Sequence, residues 1–152
     1  ETAGLASDAS IAWVAAIERG LAIDADPDQL FRVLLNLVRN AAQALESHAS
    51  GEGGGAQQIR ITGKREGAVA ILEVSDTGPG VPQKTREHLF EAFQTSGRPG
   101  GSGLGLAIAA ELIRAHGGDI HLVEGTIGAT FRIVIPDRPV ELLSIRNERQ
   151  RA

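Results

Sequence analysis

The sequence predicts an α+β (α/β) two-layer sandwich, a mixed and mostly antiparallel sheet covered on one face by helices, with solvent on the other. Three observations carry that prediction. Short stretches of alternating apolar and polar residues come in pairs around glycine-bearing turns, at 58–63 with 69–74 and at 120–123 with 129–135. Two longer stretches, 26–47 and 104–115, carry apolar residues at helical spacing. Strands grouped in pairs and separated by helices suit two packed layers, and no internal repeat competes with that arrangement.

Each element has a local reason. Trp13-Val14-Ala15-Ala16-Ile17, the turn Glu18-Arg19-Gly20 and Leu21-Ala22-Ile23 read as a short β-hairpin. Asp26-Pro27-Asp28-Gln29 starts a helix: Asp26 caps it, Pro27 suits its first position, and Gln29 stands where a capping box needs it. That helix runs to about Ser47 and frays into the loop at 50–55. Two strands, 58–63 and 69–74, turn at Arg65-Glu66-Gly67. From 75 to 103 periodicity fails, apart from one helix near 84–90. The helix at 104–115 ends at Gly117-Gly118 with His116 in its last turn, where a cation is favourable. The last two strands bracket a turn at 125–128, and a polar tail, 137–152, follows Pro136.

Composition narrows the classes. The chain has 152 residues, the size of one domain, with 42% hydrophobic and 22% charged residues, an ordinary globular balance. No apolar run reaches the roughly 18 residues of a membrane-spanning helix. A net charge of −4 argues against a nucleic-acid partner. Without cysteine there is no disulfide, thiol nucleophile or cysteine zinc site. Methionine is also absent, so the chain is expected to be a piece of a longer protein.

Three segments point to chemistry. On the first helix, at 100° per residue, Arg32, Asn36, Asn40, Gln43 and Ser47 fall within about 40° of Asn36, beside a buried stripe. The two asparagines are either solvated amides or neutral oxygen ligands for a hard cation such as Mg²⁺. Asp76-Thr77-Gly78-Pro79-Gly80 follows an apolar strand. It is either a plain turn or a carboxylate acceptor for a ring amino group, with glycines that let a ligand approach. Gly101-Ser102-Gly103-Leu104-Gly105-Leu106 opens a helix, either as a tight entry or as a phosphate site built from free N–H groups and the helix dipole. It fits neither the dinucleotide fingerprint, which wants glycine where Leu106 stands, nor a P-loop.

In order and spacing, NLxxNA at 36–41, DxGxG at 76–80 and GxGLGL at 101–106 resemble the N, G1 and G2 boxes of the histidine-kinase ATP-binding domain. That domain shares its superfamily with gyrase, the MutL proteins and a heat-shock chaperone. Phe90-Glu91-Ala92-Phe93 looks like the F box, and Gly128-Ala129-Thr130-Phe131 like the last box. The wording from Asp26 to Ala41 is similar to the nitrogen-regulatory sensor-kinase branch.

The resemblance implies ATP and Mg²⁺ as ligands and assigns roles. Asp76 would accept the adenine amino group, with Gly78 and Gly80 keeping the pocket open. Asn40 would hold Mg²⁺ against the phosphates, and Asn36 would support the phosphate end. Gly101, Gly103, Leu104 and Gly105 would form the loop hinge and helix start beside the phosphates. Thr130 would sit by the adenine, and Phe90 and Phe93 would border the nucleotide. Residues 83–101 would form a mobile ATP lid, with Arg98 its best phosphate cation and Lys84 and Arg86 nearer its start.

Two departures bear on catalysis. The lysine usual three residues after the Mg²⁺ asparagine is Gln43, and the lid holds few cations. A third concerns the phosphate acceptor: none of His48, His88, His116 or His121 has the sequence context of a phosphoacceptor. The chain is therefore expected to bind ATP without phosphorylating itself. Its partners would be an acceptor-histidine domain of the same parent and a downstream response regulator, and alone it would be a cytoplasmic monomer. The ATP-binding unit is expected at 1–136 and a tail or linker at 137–152. Two alternatives stand beside this reading, an anti-sigma-factor-type serine kinase and an inactive nucleotide-binding scaffold.

Overall fold

The computed structural model describes residues 11–49, 57–91, 104–125 and 127–138. The chain order is β1 (Ile11–Ile17), α1 (Pro27–Ala49), β2 (Gln57–Glu66), β3 (Val69–Asp76), α2 (Gln83–Arg86), α3 (Gly105–Ala115), β4 (Asp119–Leu122) and β5 (Thr130–Pro136). The five strands form one sheet in the order β1-β2-β3-β5-β4. Three pairings are antiparallel and one, β1 with β2, is parallel. The fold is the expected mixed α+β sandwich.

Alternation along the strands builds the core. Ala70, Leu72, Val74 and Asp76 of β3 are buried while their neighbours are half-buried, so one sheet face is sealed and the other open. On the sealed side Ile59, Leu72, Val74, Phe131, Ile133 and Ile135 meet Val33, Leu37 and Ala41 of α1 and Ala109, Ala110 and Ile113 of α3. Side by side, α1 lies over β2 and β3 and packs on α3, which reaches β4. The open face carries polar cross-strand pairs such as Arg132 with Glu73, whose Nε and Oε2 are 3.0 Å apart.

The N-terminal hairpin is not formed. Glu18 to Gly20 does turn, but residues 21–25 continue as an irregular loop and β1 takes β2 as its neighbour across α1. The alternation was real, since Leu21 and Ile23 pack against the core. Their burial is met by packing, without a ladder. Other bounds move by a few residues: the short helix expected at 84–90 is a single turn at Gln83–Arg86, and α1 extends to Ala49.

The cap of α1 is half of what the sequence suggests. Asp26 Oδ1 accepts the Gln29 backbone N–H at 3.0 Å, as an N-cap should. The Asp26 N–H, which a capping box would give to Gln29, is donated to His116 Nε2 at 3.1 Å. His116 Nδ1 lies 2.7 Å from the Leu112 carbonyl and must be the donor there. With one ring nitrogen on the Asp26 N–H and the other on the Leu112 carbonyl, His116 is a bolt between the end of α3 and the start of α1.

Candidate functional site

One end of the sheet gathers the unusual residues. Asp76 closes β3 as a buried carboxylate, 3% exposed, on the same face as the core. A buried carboxylate must be held by hydrogen bonds. Its Oδ1 accepts the Gly78 N–H at 2.9 Å, and the Ala129 N–H approaches the same oxygen at 3.4 Å. The Asp76 N–H in turn donates to the Ala129 carbonyl at 2.9 Å, so the pairing of β3 with the chain entering β5 continues past the strand end. Thr77 completes the corner, its Oγ1 accepting the Gln58 N–H at 2.9 Å.

Glycine is required at two points here. A Cβ on Gly78 would lie 2.9 Å from Asp76 Oδ1 and 3.4 Å from the Ala44 Cβ of α1, so any side chain would crowd the carboxylate. Gly128 has φ +72°, and a Cβ there would collide with the Asp76 backbone carbonyl. Gly80, also at positive φ, packs on the Gly128 carbonyl. Three loop glycines thus let two loops and a helix close on one carboxylate.

From that corner the site runs back along α1. Asn40 and Asn36 are half-buried and one turn apart. The Asn36 Nδ2 donates to the Gly105 carbonyl in the first turn of α3 at 3.2 Å. Leu104, at the N-cap of α3, has no side-chain capping hydrogen bond, and among the described residues nothing stands within 4 Å of where a Cβ on Gly105 would lie. A helix start, with its dipole and its first-turn N–H groups, is suited to an anion. Ala44, against the Asp76 corner, and Asn36, against Gly105, are eight residues apart on α1. At 1.5 Å per residue that is about 12 Å along the axis, room for an extended ligand with a ring at one end and anionic groups at the other.

Asn36, Asn40, Asp76, Gly78, Gly80, Leu104 and Gly105 therefore converge on one face between α1, α3 and the sheet end. Thr130 does not join them. It pairs with Ser75, and its Oγ1 donates to Ser75 Oγ at 3.2 Å, so its side chain lies on the sheet face away from Asp76. Its neighbour Ala129 stands in register with Asp76, which makes Ala129 the residue beside the carboxylate. Phe90 packs edge-on against the buried Phe131, with ring centroids 6.1 Å apart, and helps close the core near the site. Phe93, Arg98, Gly101 and Gly103, with most of the expected lid, lie outside the described residues. Sequence reasoning missed Ala129 and Ala44. Neither had a signal of its own in the sequence: Ala129 acts through its backbone N–H, and Ala44 is one more residue of the buried stripe.

Among the described residues no cluster of three or more histidine, cysteine or acidic side chains could hold a metal ion. The asparagine amides offer neutral oxygen donors, which suit a hard cation shared with ligand phosphates and water. Farther off, His88 sits 3.1 Å from Glu91, whose carboxylate holds the imidazole's pKa above its ordinary value. No helix among the described residues is long and apolar enough to cross a membrane.

Residues 25–139 match the family of histidine kinase-, DNA gyrase B- and HSP90-like ATPases. The sensory histidine kinase/phosphatase NtrB of Escherichia coli O157:H7 is 42% identical over 120 residues, 74% of this chain and 33% of that protein. The chain thus spans about a third of the length of such relatives. The catalytic domain of histidine kinase ThkA superposes with a TM-score of 0.72 at 30% identity, covering 86% of this chain and 82% of that one. Full-length ShkA, solved in complex with AMPPNP, superposes with a TM-score of 0.67 at 33% identity, over 83% of this chain and 25% of that one.

Proposed function

Because the chain belongs to the family of histidine kinase-, DNA gyrase B- and HSP90-like ATPases, we propose that it binds ATP as the catalytic domain of a sensor histidine kinase and passes the γ-phosphate to a histidine on another domain. The observation that carries this reading is the buried, amide-held Asp76 at one end of a groove whose other end is the first turn of α3, where Asn36 meets Gly105. The resemblance to ShkA, whose structure holds AMPPNP, supports the same ligand class.

In this reading Asp76 accepts the exocyclic amino group of adenine. The ring lies over Gly78 and Gly80, and the N–H of Ala129 keeps the carboxylate pointing at it. The phosphates run along α1 toward Gly105 and meet the first turn of α3, where the helix dipole favours them. Asn40 would hold Mg²⁺ through its neutral amide oxygen. Such a cation would neutralise charge on the phosphates. Asn36 fixes the first turn of α3, so the N–H donors stay aimed while the γ-phosphate is presented in line to the incoming imidazole.

Among the described side chains no histidine is placed to receive that phosphate, and His48 lacks the sequence context of a phosphoacceptor. His116 is committed to Asp26 and Leu112, His88 pairs with Glu91, and His121 lies on the open face of β4. The acceptor is then an acceptor-histidine domain of the parent protein, with a response regulator downstream, in the cytoplasm. The ATP-binding unit ends near Pro136, and residues 137–152 are a tail or linker. Calorimetric titration with ADP, with and without Mg²⁺, tests the proposal. Wild type binds with an affinity that rises with Mg²⁺, and Asp76→Asn loses most of that binding. A folded wild type that binds no ADP overturns it.

A further inference from the structure

The groove as described is short of positive charge. Asn36, Asn40 and Gln43 line its α1 side with neutral amides, and Asp76 closes its far end with a carboxylate. A triphosphate brings several negative charges into this band, and amide donors with one divalent ion do not balance them all. A cation on the protein is therefore to be expected within reach of the phosphate segment.

We infer that Arg39 is that cation and that its guanidinium contacts the β- and γ-phosphates. The inference rests on the nucleotide reading above and adds a residue that the boxes do not contain. Three features of α1 carry it. Along the axis Arg39 lies between Asn36, which touches Gly105, and Ala44, which marks the Asp76 end, and it is level with Asn40. Around the axis it lies about 60° from Asn36 and 40° from Gln43, on the solvent edge of the amide stripe, within range of a long side chain. Arg39 is exposed, and no carboxylate among the described residues pairs with it.

Neighbouring cations fit less well. Arg32 shares the flank but sits two turns from Asn40, past the Gly105 contact. Arg86 turns back to donate its Nε to the Val81 carbonyl at 3.1 Å. A planar guanidinium suits a phosphate because it donates two parallel hydrogen bonds, and at a solvent edge it can swing aside when product leaves. Gln43, one turn on, is the position from which a second cation could cover the same phosphates.

The test compares ATP with adenosine on the full chain in Mg²⁺, by calorimetric titration. For Arg39→Gln the ATP affinity falls roughly tenfold while adenosine affinity is unchanged, the size expected for one partly exposed charged hydrogen-bond donor. Arg39→Lys retains part of the ATP affinity, and adding Gln43→Lys to Arg39→Gln restores most of it. Arg60→Gln, which removes the same charge from the open sheet face, leaves both affinities unchanged and shows that net charge is not the cause. An Arg39→Gln protein with the wild-type ratio of ATP to adenosine affinity overturns the inference and leaves Arg39 a solvated surface cation. A wild type that binds neither ligand overturns the nucleotide reading itself, and this inference falls with it.

Discussion

A single residue step separates the two faces of the sheet, and the last box shows what that means for the site. Asp76 and Ala129 stand opposite each other on the sealed face, and Ser75 and Thr130 stand opposite each other on the open one. A hydroxyl at 130 cannot serve the adenine from there; it serves Ser75. Thr130→Val accordingly leaves nucleotide affinity within about twofold, while losing the 3.2 Å bond costs about 1 kcal/mol of stability. Calorimetric titration and chemical denaturation of the same variant check both halves. A large loss of affinity with unchanged stability would return Thr130 to the pocket. The motif located the loop correctly from sequence, but the face each residue takes depends on a register that only the folded sheet fixes. Asp76 was legible only through the order and spacing of the boxes around it, since alone its segment reads as well as a plain turn. Ala129 was not, because it contributes through its backbone N–H and its side chain carries no signal.

At the scale of elements, the same contrast appears between local and distant partners. The start of α1 was legible from Asp26 and Pro27, since an N-cap is made within four residues. The partner of the Asp26 N–H was not, because His116 is 90 residues away. The hairpin expected at 13–23 failed for a related reason: local alternation cannot tell a strand that pairs from a loop that packs. Where the chain leaves β5, Arg138 donates its backbone N–H to Asp24 Oδ2 at 2.7 Å and its guanidinium to Oδ1. Beside it, Arg65 clasps Asp137 at 2.8 Å. These contacts tie the exit of β5 to the loop that follows β1. The Arg138 backbone N–H, followed by its guanidinium, holds the Asp24 carboxyl below its ordinary 3.8. A carboxyl with a depressed pKa in the folded state contributes stability that is present above its unfolded value and lost as pH falls through the folded one. The stability gap between wild type and Asp24→Asn should therefore be largest near neutral pH and close progressively as pH drops below about 4. Thermal melts of both proteins across that range check it. A gap that does not vary with pH would mean the charge on Asp24 contributes nothing.

For the whole molecule, the question is whether the parallel strand β1 belongs to the same folding unit as the site. It sits at the sheet edge and is joined to β2 only through α1, so its pairing closes a long loop and is costly in entropy. An edge strand placed this way could fray independently. Against that, Ile11 and Trp13 pack on the one continuous core that also holds α1, α3 and the strands leading to Asp76. The Glu18 N–H donates to the Gly63 carbonyl at 2.8 Å, and Leu21 closes over Gly63 from the loop beyond. These contacts tie both ends of β1 to the interior, and they argue for one cooperative unit. Trp13 is the only tryptophan in a chain without tyrosine, so its emission reports β1 alone. Far-ultraviolet circular dichroism, in contrast, reports mainly α1 and α3. In urea the two signals should trace one transition with a common midpoint. A fluorescence change that precedes the loss of helix would show β1 detaching first. The nucleotide groove between α1, α3 and the end of β3 would then be a smaller unit able to stand without it.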